Sequence, residues 1–466
     1  MNDAHHMTTA NPENPENPVD RARLSALLAE ERRTYRDRNP RSRAAHAKAD
    51  HLLGGVPMTW MAKSAADFPL HLRRASGATV VDLDGHELID FCLGDTGAMA
   101  GHSPAPTVAA VARRYGELGG ATTMMPTEDA AVVAAELARR FGVSRWSFAL
   151  SATDANRWAL RLSRAFTGRP RILVNSYSYH GSVDESFVVT GPDGPRSRPG
   201  NVGAPVDPTT TSRVVEFNDL EALERELSYG DVAALLMEPA LTNMGIVLPG
   251  AGYLDGVREL TRRAGVLLIN DETHTVSAGP GGCTGAWGLE PDIVTVGKAI
   301  GGGIPIGAYG LSEPLAAELW ARADLDLVDT GGVGGTLAGN ALSLAAARAT
   351  LTEVLTPDAH AHMSALATRY TAGVERIIHT HGLPWSVTRL GARAEYRFMA
   401  PAPLNGTASQ RATDTELEDY LHLFLLNRGV LLTPFHNMAL MCPQTSEADV
   451  RTHLTLLDTA VRALVA

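Results

Sequence analysis

A carboxylate and a lysine that each follow a short apolar run are the residues of this chain best suited to chemistry. The run at 266–269 leads to Asp271, and the run at 293–296 leads to Lys298. Such runs, bounded by glycine and proline, are typical of buried strands in a parallel sheet, although periodicity alone leaves a buried helix open. Ligand sites in these sheets form at the carboxyl ends of the strands. We therefore expect Asp271 and Lys298 to face one crevice.

This pair fits the chemistry of pyridoxal phosphate. That cofactor is held as a Schiff base on a lysine, and an acid keeps its ring nitrogen protonated. Glycines at 297 and 301–303 border Lys298 and would let the backbone approach a ligand closely. The alternative is a helix N-cap at Asp271 and a solvated loop lysine. Taken alone, the two residues favour that alternative.

Length and composition limit the classes of function. A chain of 466 residues with 44% hydrophobic content predicts one large domain and a second, smaller body. A formal charge of −11 provides no basic surface for nucleic acid or an anionic membrane. The three cysteines match neither a disulfide framework nor a zinc motif, so no metal is expected. No bilayer-spanning run or secretory signal is visible, which predicts a cytoplasmic protein.

Strands and helices alternate through the first two thirds of the chain, as in an α/β protein with a mostly parallel sheet. Apolar strands are predicted to begin at 145, 171 and 233, with amphipathic helices at 128–141 and 253–264. Residues 78–91 predict a β-hairpin that turns at Asp84 and Gly85. From about residue 389 the pattern changes to that of a small α+β domain.

Three further stretches contain candidate ligand residues. Ser151-Ala152-Thr153-Asp154 joins a strand to a helix, so it is either an anion site at a helix N-terminus or a plain N-cap. An aromatic residue in 177–181 could stack on a flat ring or belong to the core. His102 could be a ligand or a base, but a structural histidine that caps its turn is the favoured interpretation.

An ordered set of motifs resembles a known family from residue 52 to the C-terminus. The motifs are LLGGV, VVDLDGHELIDF, GH at 101–102, SATDAN, YHG at 179–181, LMEPALTNMGIVLP, LLINDE, PDIVTVGKAIGGGIPIGAYG and GGTLAGN. Each is weak alone, but their order is specific. The chain resembles a class III (ω-type) aminotransferase of PLP fold type I, closest in pattern to the glutamate-1-semialdehyde aminomutase branch. The implied fold is a large doubly wound, mostly parallel-sheet domain with a smaller α+β domain formed by N- and C-terminal segments.

The resemblance also implies a domain division and an assembly. We expect a disordered tail at 1–19, an N-terminal segment of the small domain at 20–95, a large pyridoxal-phosphate-binding domain at 96–331 and a C-terminal small domain at 332–466. The implied protein is a homodimer with shared active sites. Its partners are a small-molecule amino donor and a carbonyl acceptor, without nucleic acid or membrane.

Residue roles follow from the same resemblance. Lys298 would be the Schiff-base lysine and proton shuttle, and Asp271 would pair with the pyridinium nitrogen. Further cofactor contacts are implied for Ala152, Thr153, Tyr179, His180, Asn243, Thr273, His274 and Thr336. In this set Thr336 would reach the phosphate of the neighbouring subunit's cofactor, which would make the dimer obligatory.

Two departures from the family bear on the substrate. The family usually has Asp-Glu-Val followed by Met or Gln, whereas this chain has Thr273 and His274. The arginine that binds the substrate carboxylate in the aminomutases corresponds to Met61. Arg393 and Arg397 are the remaining candidates for a carboxylate contact, with salt bridges as the alternative.

The reaction favoured by these departures is a ping-pong aminotransferase reaction between an amino acid or amine donor and a keto acid or aldehyde acceptor. An intramolecular aminomutase or a racemase on the same scaffold is the alternative. A non-catalytic protein with this fold is a third hypothesis, and Lys298 and Asp271 argue against it.

Overall fold

The computed structural model describes residues 18–203, 206–328 and 335–465. Most of the tail predicted at 1–19 lies outside these ranges, as does the start of the glycine-rich loop before Asn340. Within them, no helix combines the length and apolar character needed to cross a membrane.

The described ranges contain sixteen strands and fourteen α-helices. The strands are β1 (Leu72–Ser76), β2 (Thr79–Asp82), β3 (Glu87–Asp90), β4 (Arg145–Ala149), β5 (Arg171–Asn175), β6 (Val188–Gly191), β7 (Gly194–Ser197), β8 (Ser212–Val215), β9 (Val232–Met237), β10 (Leu267–Asp271), β11 (Ile293–Val296), β12 (Gly307–Leu311), β13 (Ser386–Leu390), β14 (Arg393–Arg397), β15 (Val430–Leu431) and β16 (Met438–Leu440). The helices are α1 (Arg21–Arg38), α2 (Pro40–His46), α3 (Ala105–Ala112), α4 (Glu128–Phe141), α5 (Ala152–Thr167), α6 (Leu220–Leu227), α7 (Tyr253–Ala264), α8 (Gly282–Trp287), α9 (Glu313–Ala321), α10 (Ala341–Ala349), α11 (Pro357–Thr380), α12 (Gly406–Arg411), α13 (Thr415–Leu426) and α14 (Glu447–Val465).

A seven-stranded sheet forms the centre of the molecule, in the order β4-β12-β11-β10-β9-β5-β8. The predicted strands at Asp271 and Lys298 are β10 and β11, which are parallel neighbours with Ile269 opposite Ile293. Every residue of β9, β10 and β11 is buried, which explains their continuous apolar runs. Six strands of this sheet run in one direction, and β12 runs opposite to them.

Helices cover both faces of this sheet. Alternate residues of each strand point to opposite faces, so Ile172 packs in one cluster with Leu160 of α5. The next residue, Leu173, packs in another cluster with Leu223 of α6 and Val257 of α7. This doubly wound arrangement confirms the predicted fold class.

The two ends of the described chain share a second body. Strands β1, β2, β3 and β15 form one sheet, in which Val430 of β15 pairs in parallel with Ile89 of β3. Strands β13, β14 and β16 form another sheet, and α1, α11, α13 and α14 contribute to the same core cluster. The hairpin predicted at 78–91 is confirmed as β2 and β3. The domain boundaries at residues 95 and 331 stay predictions.

Helix α1 is longer than its sequence pattern indicated. Its apolar positions predict a helix from residue 20 to about 33, but it continues to Arg38 because Tyr35 is buried. It ends where Asn39 precedes Pro40, since a residue before proline disfavours helical backbone. Its arginines form ion pairs on a half-exposed face, such as Arg32 with Asp419 at 3.0 Å.

Glycine allows the closest approach between the sheet and α5. A β-carbon at Gly307 in β12 would lie 2.2 Å from the carbonyl oxygen of Ser151, the N-cap residue of α5. Only a residue without a side chain can occupy that place. The start of α5 is thereby held against β12 at the edge of the sheet.

A buried acid follows β9. The side chain of Glu238 is 2% exposed, and one carboxylate oxygen accepts a hydrogen bond from the Thr242 hydroxyl while the other has no partner among the described residues. Burial raises the pKa of Glu238 to about 7, against the opposing effects of His180 and Thr242. Because the folded state holds this proton more tightly than the unfolded state, the folded protein loses stability as pH rises from about 4.5 to about 7.

Replacing Glu238 with glutamine should flatten the pH dependence of stability. Between pH 5 and pH 8 the free energy of unfolding of the wild type should fall by about 2–3 kcal/mol more than that of Glu238→Gln, since the amide does not titrate. Urea unfolding of the holoenzyme at several pH values measures this. Glu290→Gln, on an exposed side chain, is the control and should follow the wild type. If the free energy of unfolding changes with pH in the same way in the wild type and in Glu238→Gln, the raised pKa of Glu238 is contradicted.

Candidate active site

One edge of the central sheet collects several of the residues predicted from the sequence. Strands β4, β5, β9, β10 and β11 are parallel, so their carboxyl ends meet at that edge. Ala152, His180 and Lys298 follow such ends, and Asp271 is the last residue of β10. Glu238, which follows β9, joins them. Asp271 and Lys298 therefore lie at the edge where parallel sheets place ligand sites.

Asp271 is the buried acid of this edge. Its side chain accepts hydrogen bonds from His180 Nδ1 at 2.9 Å, from Asn156 Nδ2 at 2.8 Å and from the backbone N–H of Thr273 at 3.0 Å. Burial alone would raise the pKa of Asp271, but the hydrogen bonds from His180, Thr273 and Asn156 lower it below its ordinary value. Asp271 is therefore a fixed, ionised carboxylate that can hold a protonated ring nitrogen.

Lys298 follows β11 on a strained turn. It has a φ of 50°, in the left-handed region that favours glycine, and follows Gly297 directly. Its Nζ atom lies 2.8 Å from His274 Nε2 and 3.1 Å from both the backbone oxygen and the Oδ2 atom of Asp95. The amine is thus aimed at a specific set of acceptors.

His274 links Lys298 to the loop that follows β3. Its Nδ1 atom lies 3.0 Å from the Thr96 hydroxyl. Burial, and then the positive charge of Lys298, lower the pKa of His274 well below its ordinary value. A neutral ring that accepts from Lys298 at Nε2 carries its proton at Nδ1, so His274 donates to Thr96. In this tautomer Lys298 Nζ donates the hydrogen bond and His274 Nε2 accepts it.

Asp95 lies between Lys298 and Arg393. The Oδ1 atom of Asp95 is 3.4 Å from Arg393 Nη2, while Oδ2 bonds Lys298. Burial alone would raise the pKa of Asp95, but the positive charges of Lys298 and Arg393 hold it far below its ordinary value. Arg393 is fully buried, its Nε atom contacts Met438 Sδ at 2.7 Å, and its Nη1 atom has no partner among the described residues.

Arg397, the other arginine predicted to bind a carboxylate, lies in the wall of a neighbouring cleft of about 830 Å³. Its Nη2 atom donates to the Ser409 carbonyl at 2.6 Å and to the Thr413 hydroxyl at 3.0 Å, and Glu418 lies 3.7 Å from its Nη1 atom. Both candidate arginines therefore already have a protein carboxylate beside them, as the salt-bridge alternative predicted. Their contact with a substrate stays a prediction.

The loop before α3 holds strained backbone beside Lys298. Leu93, Asp95 and Thr96 all have positive φ, at 44°, 49° and 80°. Each such residue costs about 1–3 kcal/mol and persists only where surrounding contacts enforce it. Here the enforcing contacts are those of Asp95 with Lys298 and of Thr96 with His274.

The first turn of α5 forms a glycine-lined cradle. Ser151 caps the helix by accepting from the Asp154 N–H at 3.2 Å, so the N-cap that the sequence suggested is present. The N–H groups of Ala152 and Thr153 have no partner inside the helix because they lie in its first turn. A β-carbon at Gly297 would lie 3.1 Å from Ala152, and one at Gly181 would lie 1.9 Å from the Thr153 hydroxyl oxygen. The backbone thus closes around a helix N-terminus that favours an anion.

These residues fit pyridoxal phosphate. The cradle at Ala152 and Thr153 suits its phosphate, Asp271 suits its ring nitrogen, and Lys298 supplies the amine. Two buried polar atoms, His180 Nε2 and Thr273 Oγ1, have no hydrogen-bond partner among the described residues. Buried polar atoms are rarely left unpaired, so both are available to a ligand between Asp271 and the cradle.

Four other residues were predicted to contact the cofactor or the substrate, namely Tyr179, Asn243, Met61 and Thr336. Tyr179 is half-buried, and its ring centroid lies 5.3 Å from that of Trp60, with the two rings tilted by 54°. Asn243 donates to the Tyr177 carbonyl at 3.0 Å. Met61 is 52% exposed, and Thr336 is also exposed. No described contact joins Met61 or Thr336 to Lys298 or Asp271, and their roles stay predictions.

Sequence reasoning missed three residues of the site, Asp95, Thr96 and Asn156. Asn156 bonds both Asp271 and, at 3.1 Å, the His180 carbonyl, while its Oδ1 atom accepts from Thr295. A charged residue inside the small-residue loop GDTG is a signal that could have identified Asp95.

His102, in the same loop region, is not part of this cluster. Its Nε2 atom contacts Asp90 at 2.7 Å, in keeping with the structural role favoured for it. Among the described residues, no group of His, Cys, Asp and Glu is arranged to hold a metal ion.

Comparison with known proteins identifies the family. The sequence profile of the aminotransferase class-III family matches residues 60–460. The chain is 33% identical over 406 residues to glutamate-1-semialdehyde 2,1-aminomutase 2 of Geobacillus kaustophilus, and the match covers 84% of this chain and 91% of that protein.

Solved structures support the same grouping. A glutamate-1-semialdehyde aminomutase from Pseudomonas aeruginosa PAO1 has a TM-score of 0.93 and 49% identity, covering 96% of this chain and 100% of that chain. A variant of that enzyme was solved in complex with PMP. An omega-transaminase from Sphaerobacter thermophilus has a TM-score of 0.82 and 28% identity over 91% of this chain and 98% of its own. The chain therefore belongs to the class III aminotransferases and is a pyridoxal-phosphate-dependent enzyme of fold type I.

Proposed function

We propose that the protein is an aminotransferase that moves an amino group from an amino acid or amine to a keto acid or aldehyde. The observation that carries the proposal is the placement of the Lys298 amine, 2.8 Å from a neutral His274, at the same sheet edge as ionised Asp271. This pairing of a free amine with a fixed carboxylate is what amino-group transfer on the cofactor requires.

Each residue has a distinct task in this proposal. When bound, pyridoxal phosphate supplies an electron sink for the carbon that bears the amino group. Asp271 holds a proton on the ring nitrogen, and the helix N-terminus at Ala152 and Thr153 binds the phosphate. The Lys298 amine removes and returns the proton at the substrate carbon, and His274 Nε2 orients that amine by accepting one of its N–H bonds.

A second candidate is the intramolecular aminomutase reaction. It is favoured by the names of relatives such as the Geobacillus kaustophilus and Pseudomonas aeruginosa proteins. Against it stands Met61, an apolar side chain at the position where the aminomutase resemblance puts the arginine that binds the substrate carboxylate. A thioether cannot replace a bidentate guanidinium contact, so we favour transfer between two molecules.

The cofactor should be attached to Lys298. Borohydride reduction of the purified holoenzyme should fix a pyridoxyl group on this residue, as read by peptide mass spectrometry. Lys298→Ala should abolish the adduct, whereas Lys48→Ala, on an exposed lysine, should leave it intact. An adduct on any lysine other than Lys298 would sink the proposed function.

A substrate panel separates the two candidate reactions. We expect the holoenzyme to transfer amino groups between supplied donors and acceptors, with mass-spectrometric detection of the aminated product. With glutamate-1-semialdehyde as sole substrate, little 5-aminolevulinate should form, because position 61 lacks the arginine. Lys298→Ala is the background control for both reactions. Efficient production of 5-aminolevulinate together with no transfer between molecules would establish the aminomutase instead.

We further propose a homodimer in which Thr336 reaches the phosphate site of the neighbouring subunit. Thr336→Asp would set a carboxylate against that phosphate and should be inactive, as should Lys298→Ala. Mixing the two variants with subunit exchange should restore up to about a quarter of wild-type activity, because half of the dimers then hold one intact site. Sedimentation velocity should show a dimer, and each variant alone gives the baseline activity. Exchange without recovery would refute shared sites, and so would a fully active monomer.

A further inference from the structure

Asp95 is an acid placed where the substrate reacts. Its Oδ2 atom lies 3.1 Å from Lys298 Nζ, the atom whose place a substrate amine takes during amino-group transfer. The proposed chemistry calls for Asp271 as the acid and Lys298 as the base, and it gives no task to a second carboxylate. Asp95 therefore needs an explanation of its own.

The carboxylate of Asp95 is held in place from several sides. It bridges Lys298 and Arg393, with 3.4 Å between its Oδ1 atom and Arg393 Nη2. Its backbone oxygen also accepts from Lys298 at 3.1 Å, and the adjoining Thr96 is tied to His274. The φ of Asp95 is positive, and such a backbone angle persists at a residue other than glycine only where surrounding contacts enforce it. These contacts therefore fix the position of the Asp95 carboxylate beside Lys298.

Asp95 also pairs with a second cation, Arg393. Arg393 is fully buried, and one of its terminal nitrogens, Nη1, has no partner among the described residues. A guanidinium in this position suits a carboxylate, yet Asp95 already provides that carboxylate from within the chain. A substrate carboxylate directed at Arg393 would have to displace Asp95 or lie against its negative charge.

We propose that Asp95 is a specificity-determining residue that rejects substrates whose amine-bearing carbon also carries a carboxylate. Such a substrate brings its negative charge within one carbon of the reacting amine and hence beside Asp95. An amine whose carbon carries only alkyl groups meets no such repulsion and leaves the contact between Asp95 and Arg393 intact. Selectivity here comes from a built-in repulsive group, a common means of discriminating between similar ligands.

The proposal rests on Lys298 being the reacting amine, and it makes a prediction for two donors of the same shape. Isopropylamine and alanine differ by a methyl group in place of a carboxylate on the amine-bearing carbon. The wild-type holoenzyme should prefer isopropylamine in kcat/KM. Asp95→Asn keeps the shape of the side chain and removes its charge. It should lower the ratio of kcat/KM for isopropylamine to kcat/KM for alanine at least tenfold. Asp67→Asn, on a side chain that is 55% exposed, should leave the ratio unchanged.

A binding measurement tests the same point without turnover. Isobutyrate carries a carboxylate on the branched carbon and has no amine, so calorimetric titration of the holoenzyme measures carboxylate acceptance alone. Asp95→Asn should bind isobutyrate at least tenfold more tightly than the wild type. The double variant Asp95→Asn with Arg393→Gln should lose this gain, because the released guanidinium is what binds the carboxylate.

The outcomes separate this inference from the proposed function. Borohydride labelling of Lys298 in each variant shows whether the cofactor site is intact. If labelling persists while neither the donor ratio nor isobutyrate binding responds to Asp95→Asn, the role of Asp95 is refuted. If labelling occurs elsewhere in the wild type, the proposed function fails first. Should Asp95→Asn not fold, Asp95→Glu must retain the preference for isopropylamine, and a wild type that favours alanine overturns the proposal outright.

Discussion

The contact between Lys298 and Asp95 is the interaction on which the rest of the site depends. Lys298 is only partly exposed, and a charge that is largely removed from water must be paired and hydrogen-bonded. Here the carboxylate, a neutral His274 and a backbone oxygen share that task. The same carboxylate balances Arg393, which is fully buried. Two cations from distant parts of the chain are thus held by one anion, so the strained loop around Asp95 cannot move independently of either.

The central sheet provides the second constraint. Asp271 is the last residue of β10 and Lys298 follows β11, and the parallel pairing of these strands brings both residues to one edge. Asn156 then connects α5 to Asp271 and β11 by bonding Asp271 and accepting from Thr295. The acid, the amine and the helix N-terminus are therefore positioned by one rigid scaffold, while the selectivity proposed for Asp95 comes from a loop.

Much of this arrangement was accessible from the sequence, and the remainder was not for physical reasons. Asp271 and Lys298 each end an apolar run, and a parallel sheet converts that local pattern into proximity. The acid Asp95 lies in a loop whose course depends on positive φ angles and on contacts with residues far along the chain, and neither leaves a periodic signal. The ordered motifs indicated the cradle at Ala152. The contact of Asp95 with Arg393 is visible only in the folded structure.

The parallel pairing of β15 with β3 has a consequence for biosynthesis. Ile89 lies early in the chain and its partner Val430 lies close to the C-terminus, so the first β-hairpin emerges from the ribosome long before its neighbour exists. Domains usually fold as units, beginning from the N-terminus while translation continues. In this protein the edge of β3 that pairs with β15 has no partner strand until almost the whole sequence up to Val430 has been made, and an unpaired strand edge is a template for pairing with other chains.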